Sequence, residues 1–180
     1  MIINGTLTNN NNIFSGFSAS NFLTIPRVIP DSNNIDFITK VNLQNVHSTY
    51  NDVLGFTAAN APVGFNSSRY LGMYNTSSWT VGSVQYELNR DIWVKFSWDG
   101  AKYTVYGMYD NNYSIQDLPN NWTINTTWTT TSKLFTSSTI RIGNTVKTTT
   151  EYFGGTIDLN NTILLRDGQL HWSGISGITI

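Results

Sequence analysis

The sequence predicts an all-β fold, a sandwich or barrel of short strands. Three observations carry this prediction. Strand-forming runs recur about every ten residues and are broken by Asn, Asp and Gly, the spacing of a sandwich or barrel. No stretch shows the apolar period of an amphipathic helix, and no repeat of fixed period is present. Asn, Thr and Ser together make up more than a third of the 180 residues, and aromatics another 13%. Those three are poor helix formers, whereas Thr and the aromatics suit strands and Asn suits turns.

In chain order the expected strands are Phe22–Ile25, Ile35–Leu43, Val53–Thr57, Tyr70–Tyr74, Thr80–Leu88 and Ile92–Trp98. They continue as Lys102–Tyr109, Trp122–Trp128, Thr139–Ile142, Gly155–Leu159 and Ile163–Trp172. The clearest local signal is Ile92–Trp98, then Asp99-Gly100, then Ala101–Tyr106. Asp-Gly suits a two-residue type I′ hairpin turn, in which both positions take positive φ. Folded there, Trp98 faces Ala101, Phe96 faces Tyr103 and Val94 faces Val105, all on one face destined for the core. The other face carries Ser97 with Lys102, Lys95 with Thr104, and Trp93 with Tyr106 as a partly exposed apolar patch. Asp167-Gly168 supplies a second tight turn that sets Leu165 opposite Leu170. The Gly154-Gly155 pair before a strand marks a bulge or a close backbone approach.

The length suits one domain, and such a chain buries about 70% of its unfolded surface without any staple. Residues 13–180 read as that domain, preceded by a polar segment, residues 1–12. The absence of cysteine excludes disulfides, thiol catalysis and cysteine zinc sites. Net charge is −1 with only 12% charged residues, so there is no basic stripe for nucleic acid. No apolar run approaches the ~20 residues of a membrane span, and the first twelve residues lack the apolar core of a signal peptide. Seven Asn-x-Ser/Thr sequons follow from composition.

The segments WVKFSWDGAKYTVYG, IRIGN and FGGTIDLNNTILLRDGQLHWSG resemble the laminin-G-like, concanavalin A-like jelly roll. The last is similar to the version found in bacteriophage tail and fibre proteins. Ile140, Gly143, Phe153, Gly154, Ile157, Asp158, Leu159, Gly168 and Trp172 carry the match, and the resemblance covers roughly residues 13 to 174 in order. It implies a two-sheet antiparallel jelly-roll sandwich with rim loops. Members of that family commonly bind glycans as host-recognition modules, and others are purely structural.

Glycanases of such folds need two carboxylates about 5–9 Å apart across the scissile bond. Only Glu87 and Glu151 are glutamates, and they stand in no Glu-x-Asp-x-Glu arrangement. Asp99, Asp110 and Asp167 sit in expected turns, Asp158 reads as a structural acceptor, and His47 and His171 are isolated. The expectation is therefore a binding module and no enzyme. The resemblance also implies a rim Ca²⁺ as the one candidate cofactor, with hard-oxygen ligands offered by Asp31 and Asn33 or by Asp110 and Asn112. The same residues equally stabilise turns.

Six tryptophans exceed what one core of this size needs, so some should be exposed, where they serve a glycan or a protein partner alike. Sugars stack their C–H faces on aromatic rings while amides and Arg read their hydroxyls. The candidate ligand residues are Arg69, Tyr70, Tyr74, Asn75 and Trp79, then Tyr109, Asn111, Asn112 and Tyr113, then Trp122 and Trp128. The sequence reading is a lectin-like module of a phage tail or fibre protein, assembled in the host cytoplasm and located in the virion. Its expected partners are a bacterial surface glycan, other virion proteins and further copies of itself. The alternative is a purely structural virion module mediating assembly.

Overall fold

The computed structural model describes residues 1–25, 34–47, 49–56, 62–75, 77–130, 139–144 and 151–174. The strands run β1 (Ile2–Asn4), β2 (Thr8–Asn10), β3 (Ile13–Ser15), β4 (Phe22–Ile25), β5 (Ile35–Leu43), β6 (Tyr50–Phe56), β7 (Val63–Asn66) and β8 (Tyr70–Tyr74). They continue as β9 (Trp79–Gln85), β10 (Asp91–Trp98), β11 (Lys102–Tyr109), β12 (Thr123–Thr129), β13 (Ile140–Ile142), β14 (Gly155–Arg166) and β15 (Gln169–Ser173). One sheet has the order β1-β4-β13-β6-β7-β8-β9, and the other β12-β11-β10-β5-β14-β3-β2, with β15 added on β14. Every pairing is antiparallel, and no helix occurs among the described residues. This is the all-β jelly-roll sandwich that the sequence predicts.

Alternation builds the core. On β5, Ile35, Phe37, Val41 and Leu43 point inward, as Ile92, Val94, Phe96 and Trp98 do on β10. They meet Leu23, Phe56, Val63, Phe65, Leu71 and Met73 of the other sheet in one buried cluster. Tyr103 is stacked between Trp98, at 4.3 Å between ring centroids, and Phe96, at 5.3 Å. Such offset aromatic pairs add to their area burial.

The β10–β11 hairpin keeps the expected faces but not the expected register. Trp98 pairs with Tyr103 and Phe96 with Val105, two positions further than a two-residue turn allows. The Asp99 carboxylate accepts the N–H groups of Ala101 (3.1 Å) and Lys102 (2.9 Å), and Gly100 takes φ 92°. The side chain thus builds a longer loop in place of the type I′ turn. A shift of two preserves the inward set, because side chains alternate with period two. At Asp167-Gly168 both φ values are positive, 49° and 78°, and Leu165 pairs with Leu170 as expected.

Strand β14 reads as two strands in sequence and is one in space. Asp158 pairs with Lys40 and Thr162 with Thr39, so Leu159–Asn161 are looped out between adjacent partners. Asp158 holds this bulge by accepting the Asn160 N–H (2.9 Å) and the Asn161 side-chain amide (2.7 Å). Thr162 donates its hydroxyl to the Asp158 carbonyl (2.7 Å), which leaves Thr39 as the donor in the buried Thr39–Thr162 pair (2.7 Å). The bulge moves the inward set from Ile157 and Leu159 to Thr162 and Leu164. Asn160 also docks on the N-terminal hairpin, donating to the Asn11 carbonyl (2.7 Å). That hairpin turns at Asn11 and Asn12, both at positive φ, so residues 1–12 contribute edge strands to both sheets. Gly154 and Gly155 make the close approach read from sequence, since a Cβ there would lie 2.2 Å from the Asn45 carbonyl and 1.9 Å from that of Asn42.

Replacing Asp158 with Ala should leave the fold intact and lower its stability by about 1–3 kcal/mol, because two donors lose a common acceptor. Urea unfolding of both proteins measures this. An unchanged midpoint would mean the bulge is held by its docking on Asn11 and Asn12 alone.

Candidate functional site

On the outer face of the second sheet lies a smaller apolar cluster of Ile38, Trp93, Ile115 and Ile163. It exists because the segment joining β11 to β12, residues 110–122, folds back across that face and brings Ile115, Leu118 and Trp122 onto it. Trp93, expected at a partly exposed patch, is 0% exposed beneath this cover.

Asp110 fastens the cover. One carboxylate oxygen accepts the Trp93 indole N–H (2.9 Å) and the Tyr113 backbone N–H (3.0 Å), and the other takes the Lys40 ammonium (3.2 Å). Lys40 also stands 4.0 Å from Asp91, which accepts the Asn42 amide (2.7 Å). Burial pulls the Asp110 pKa upward, but the bonds from Trp93, Lys40 and Tyr113 outweigh it and hold the carboxyl below the ordinary aspartate value. Both oxygens of this candidate metal ligand are thus occupied by protein donors. Its companion Asn112 is exposed at φ 63°, a turn position. Asp31 and Asn33 lie outside the described residues. Among the described residues no three His, Asp or Glu side chains come together as a metal cluster would require.

The eleven candidate ligand residues divide into two groups and an outlier. The first group lies on the other sheet, around β8 and the start of β9. Trp79 pairs with Tyr74 and stacks on Tyr50 at 4.2 Å and 12°, so one of its faces is covered. Arg69 is a turn residue at φ 67°, and Tyr70 is half-buried beside it. The Asn75 carbonyl oxygen caps its own loop, accepting the N–H groups of Ser77 (3.2 Å) and Ser78 (2.9 Å). Trp128 stands apart, half-buried against Tyr103 at 5.7 Å.

Of the second group, on and beside the 110–122 segment, three residues converge. Tyr109, Asn111 and Tyr113 line an open groove of about 230 Å³ at the end of the sandwich, together with Asn121 and Thr123. Here the edge strands of the two sheets approach, and the absence of a side chain at Gly107 matters: a Cβ would lie 2.2 Å from the Tyr86 hydroxyl. Tyr109 forms a fixed wall, since its hydroxyl accepts the Glu87 N–H (2.9 Å) and the Arg90 guanidinium covers its ring at 3.7 Å. Asn111 and Asn112 begin the covering segment, and Asn120, Asn121 and Trp122 end it. Among the described residues, none of these four asparagines makes a side-chain hydrogen bond within the protein. By contrast Asn66, Asn75, Asn125, Asn160 and Asn161 all do.

Trp122 faces a second groove, of about 220 Å³, on the other side of the segment, with Asp36, Lys95 and Asn120. The hairpin pattern places Lys95 on the outer face, but no motif in the sequence marks Asp36, Asn120, Asn121 or Thr123 as lining a groove. The one sequence signal for Asn121 and Thr123 is that they flank Trp122 in an alternating strand entry and so face the opposite way.

Compared by sequence, neither a protein-family model nor a curated protein matches the chain. Compared by structure, it is similar to a heptameric SAP-like pentraxin from Limulus polyphemus, with a TM-score of 0.52 and 15% identity over 87% of this chain and 71% of that one. It is also similar to domain 4 of a GH43 extracellular arabinanase from Geobacillus stearothermophilus, solved with arabinotriose (TM-score 0.52, 14% identity, 86% of this chain, 73% of that one). A third likeness is to Trypanosoma rangeli sialidase, solved with sialic acid (TM-score 0.60, 11% identity), where 89% of this chain spans 26% of that one. These likenesses bear out the two-sheet jelly-roll fold.

Because the Asp110 pKa is lowered on folding, its contribution is complete above the unfolded value, about 3.9, and is lost as pH falls through the lower folded value. Asp110→Asn should cost about 2–3 kcal/mol at neutral pH, and this deficit should shrink in acid below about pH 4. Denaturant titrations across that range would show it. A deficit independent of pH would mean that the carboxylate's charge plays no part.

Proposed function

We propose that this chain is a non-catalytic carbohydrate-binding module that seats a glycan on the 110–122 segment. The observation that carries the reading is the set of four unbonded asparagine amides on that segment, two of them lining a groove with Tyr109 and Tyr113. Amides can donate to and accept from the vicinal hydroxyls of a sugar, and the groove stays open to an extended chain. The arabinotriose complex of one structural neighbour, a single domain of which this chain spans 73%, supports a saccharide ligand on this type of fold. The sequence resemblance supplies the setting: a phage tail or fibre module that recognises a bacterial surface glycan beside other virion proteins.

The reading requires no metal, because the groove's donors are amides and hydroxyls. A second reading, an assembly module, draws on one observation. Ile2 and Ile3 on edge strand β1, and Ile124 on edge strand β12, are half or more exposed, and such edges can pair with further copies.

On a broad glycan array the full chain should bind a discrete set of saccharides, with or without EDTA. Asn111→Ala combined with Asn121→Ala should weaken binding about tenfold or more at unchanged thermal stability, since each amide contributes only to the ligand. Binding lost in EDTA would put Ca²⁺ in the site. No binding by any glycan, together with a stable oligomer in analytical ultracentrifugation, would favour the assembly module.

A further inference from the structure

Cross-strand register arranges the outer face of the second sheet in rows. Leu165, Asp36, Ser97 and Thr104 form one row, and Ile163, Ile38, Lys95 and Tyr106 form the next. Asp36 and Lys95 are therefore diagonal neighbours on adjacent strands. Trp122 of the covering segment closes the side of this patch and completes the 220 Å³ groove. Its floor is apolar, made by Ile38, Ile163 and Leu165.

The two charged groups are held but not consumed. The Ser97 hydroxyl donates to Asp36 Oδ1, and among the described residues Oδ2 accepts nothing. The Lys95 ammonium lies 4.5 Å from the Tyr106 ring centroid and 5.1 Å from that of Trp122, and among the described residues it forms no ion pair. Flanking rings restrict where a flexible lysine can place its charge. The groove thus offers a fixed anionic acceptor and a fixed cationic donor above an apolar floor.

We infer that this groove recognises the acetamido group of an N-acetylated amino sugar. The amide N–H donates to Asp36, the amide carbonyl accepts from Lys95, and the methyl group rests on the isoleucine floor. Each competing group leaves a mismatch. A carboxylate sugar meets the Asp36 charge, a free amine meets Lys95, and a hydroxyl leaves the floor unfilled. Discrimination of this kind arises as much from the unfavourable pairings as from the favourable one. The inference rests on the carbohydrate-binding reading and narrows it to a ligand class.

The test uses the full chain and acetamido sugars of gluco, galacto and manno configuration, each titrated by calorimetry against its hydroxyl and free-amine counterparts. At least one acetamido sugar should bind about tenfold or more tightly than both counterparts. Asp36→Asn and Lys95→Met should each remove about that factor, while Lys102→Met on the distant hairpin leaves affinity unchanged. Thermal unfolding separates a lost contact from a lost fold, and Lys95→Met keeps the apolar stem. Equal affinity across each set, or full affinity in both groove variants, would overturn the acetamido inference and leave carbohydrate binding standing. So would loss of acetamido binding only in the Asn111 and Asn121 double variant. Failure of every glycan on the array would overturn both.

Discussion

A single carboxylate decides whether the outer face of the second sheet is covered or bare. Asp110 is the first residue past β11, and the chain beyond it can either leave the sheet or fold back across it. With the Asp110 side chain only 8% exposed, an unpaired charge there would be prohibitive. Three donors from three places resolve the problem: an indole on β10, an ammonium on β5 and a backbone N–H from the segment itself. Together they tie the turn to the sheet, and Ile115, Leu118 and Trp122 then cover Trp93. Both grooves are the margins of that cover, one toward the sandwich end and one toward Asp36. The same arrangement weakens Asp110 as an acid catalyst. Asp91 and Asp110 share Lys40, which brings two carboxylates close together, but a general acid needs a raised pKa and that of Asp110 is lowered.

The abundance of asparagine has two separate physical origins. Much of it builds backbone. Asn11, Asn12, Asn89 and Asn112 occupy positive φ, where asparagine is tolerated better than most side chains. Asn66 caps the β7–β8 turn through the N–H groups of Ser68 and Tyr70, both at 3.0 Å, and Asn75 does the same for the next loop. A side-chain amide engaged in such a cap is unavailable to a ligand, which removes Asn75 from the set that composition suggested, whereas Asn112 is a turn residue by its backbone alone and keeps its amide. Of the exposed amides that remain, Asn111, Asn112, Asn120 and Asn121 fall on the covering segment. Composition alone overstates the number of amides open to a ligand, and the hydrogen-bond pattern sorts those engaged within the protein from those that are not.

The strand pattern was legible because one face of each strand is buried, so period-two alternation had to appear. β4, β5, β8 and β11 begin and end where the pattern puts them. The short strands β1, β2 and β3 and the small β7 were not legible, since they carry too few inward residues to show a period. The two Asp-Gly turns separate what a dipeptide can and cannot specify. At Asp167 the backbone itself takes positive φ, whereas at Asp99 the carboxylate captures two N–H groups and lengthens the loop. Backbone Lys102 and Ala101 donors hold the Asp99 carboxyl below its usual pKa, which marks the same capture. Trp93 could not be assigned from sequence, because what buries it arrives from residues 110–122. Exposure of an aromatic on an outer face depends on a distant segment, and no local pattern encodes it.

That dependence bears on how the proposed site would select its ligand with so little charge. In a chain with 12% charged residues, most of the second sheet's outer face is neutral or apolar, so the few ionised groups it retains stand out from their surroundings. Lys40 bridges Asp91 and Asp110 in the knot under the segment, one cation shared by two carboxylates. Asp36 and Lys95 are set on that same face without closing into a direct pair, one engaged by Ser97 and the other by two rings. A direct ion pair would leave a ligand to compete with a strong internal contact. Holding each charge through a weaker partner keeps both positions fixed and both still able to bond outward. Preorganisation of this kind lowers the ordering cost of binding, which suits a shallow groove with little area to bury.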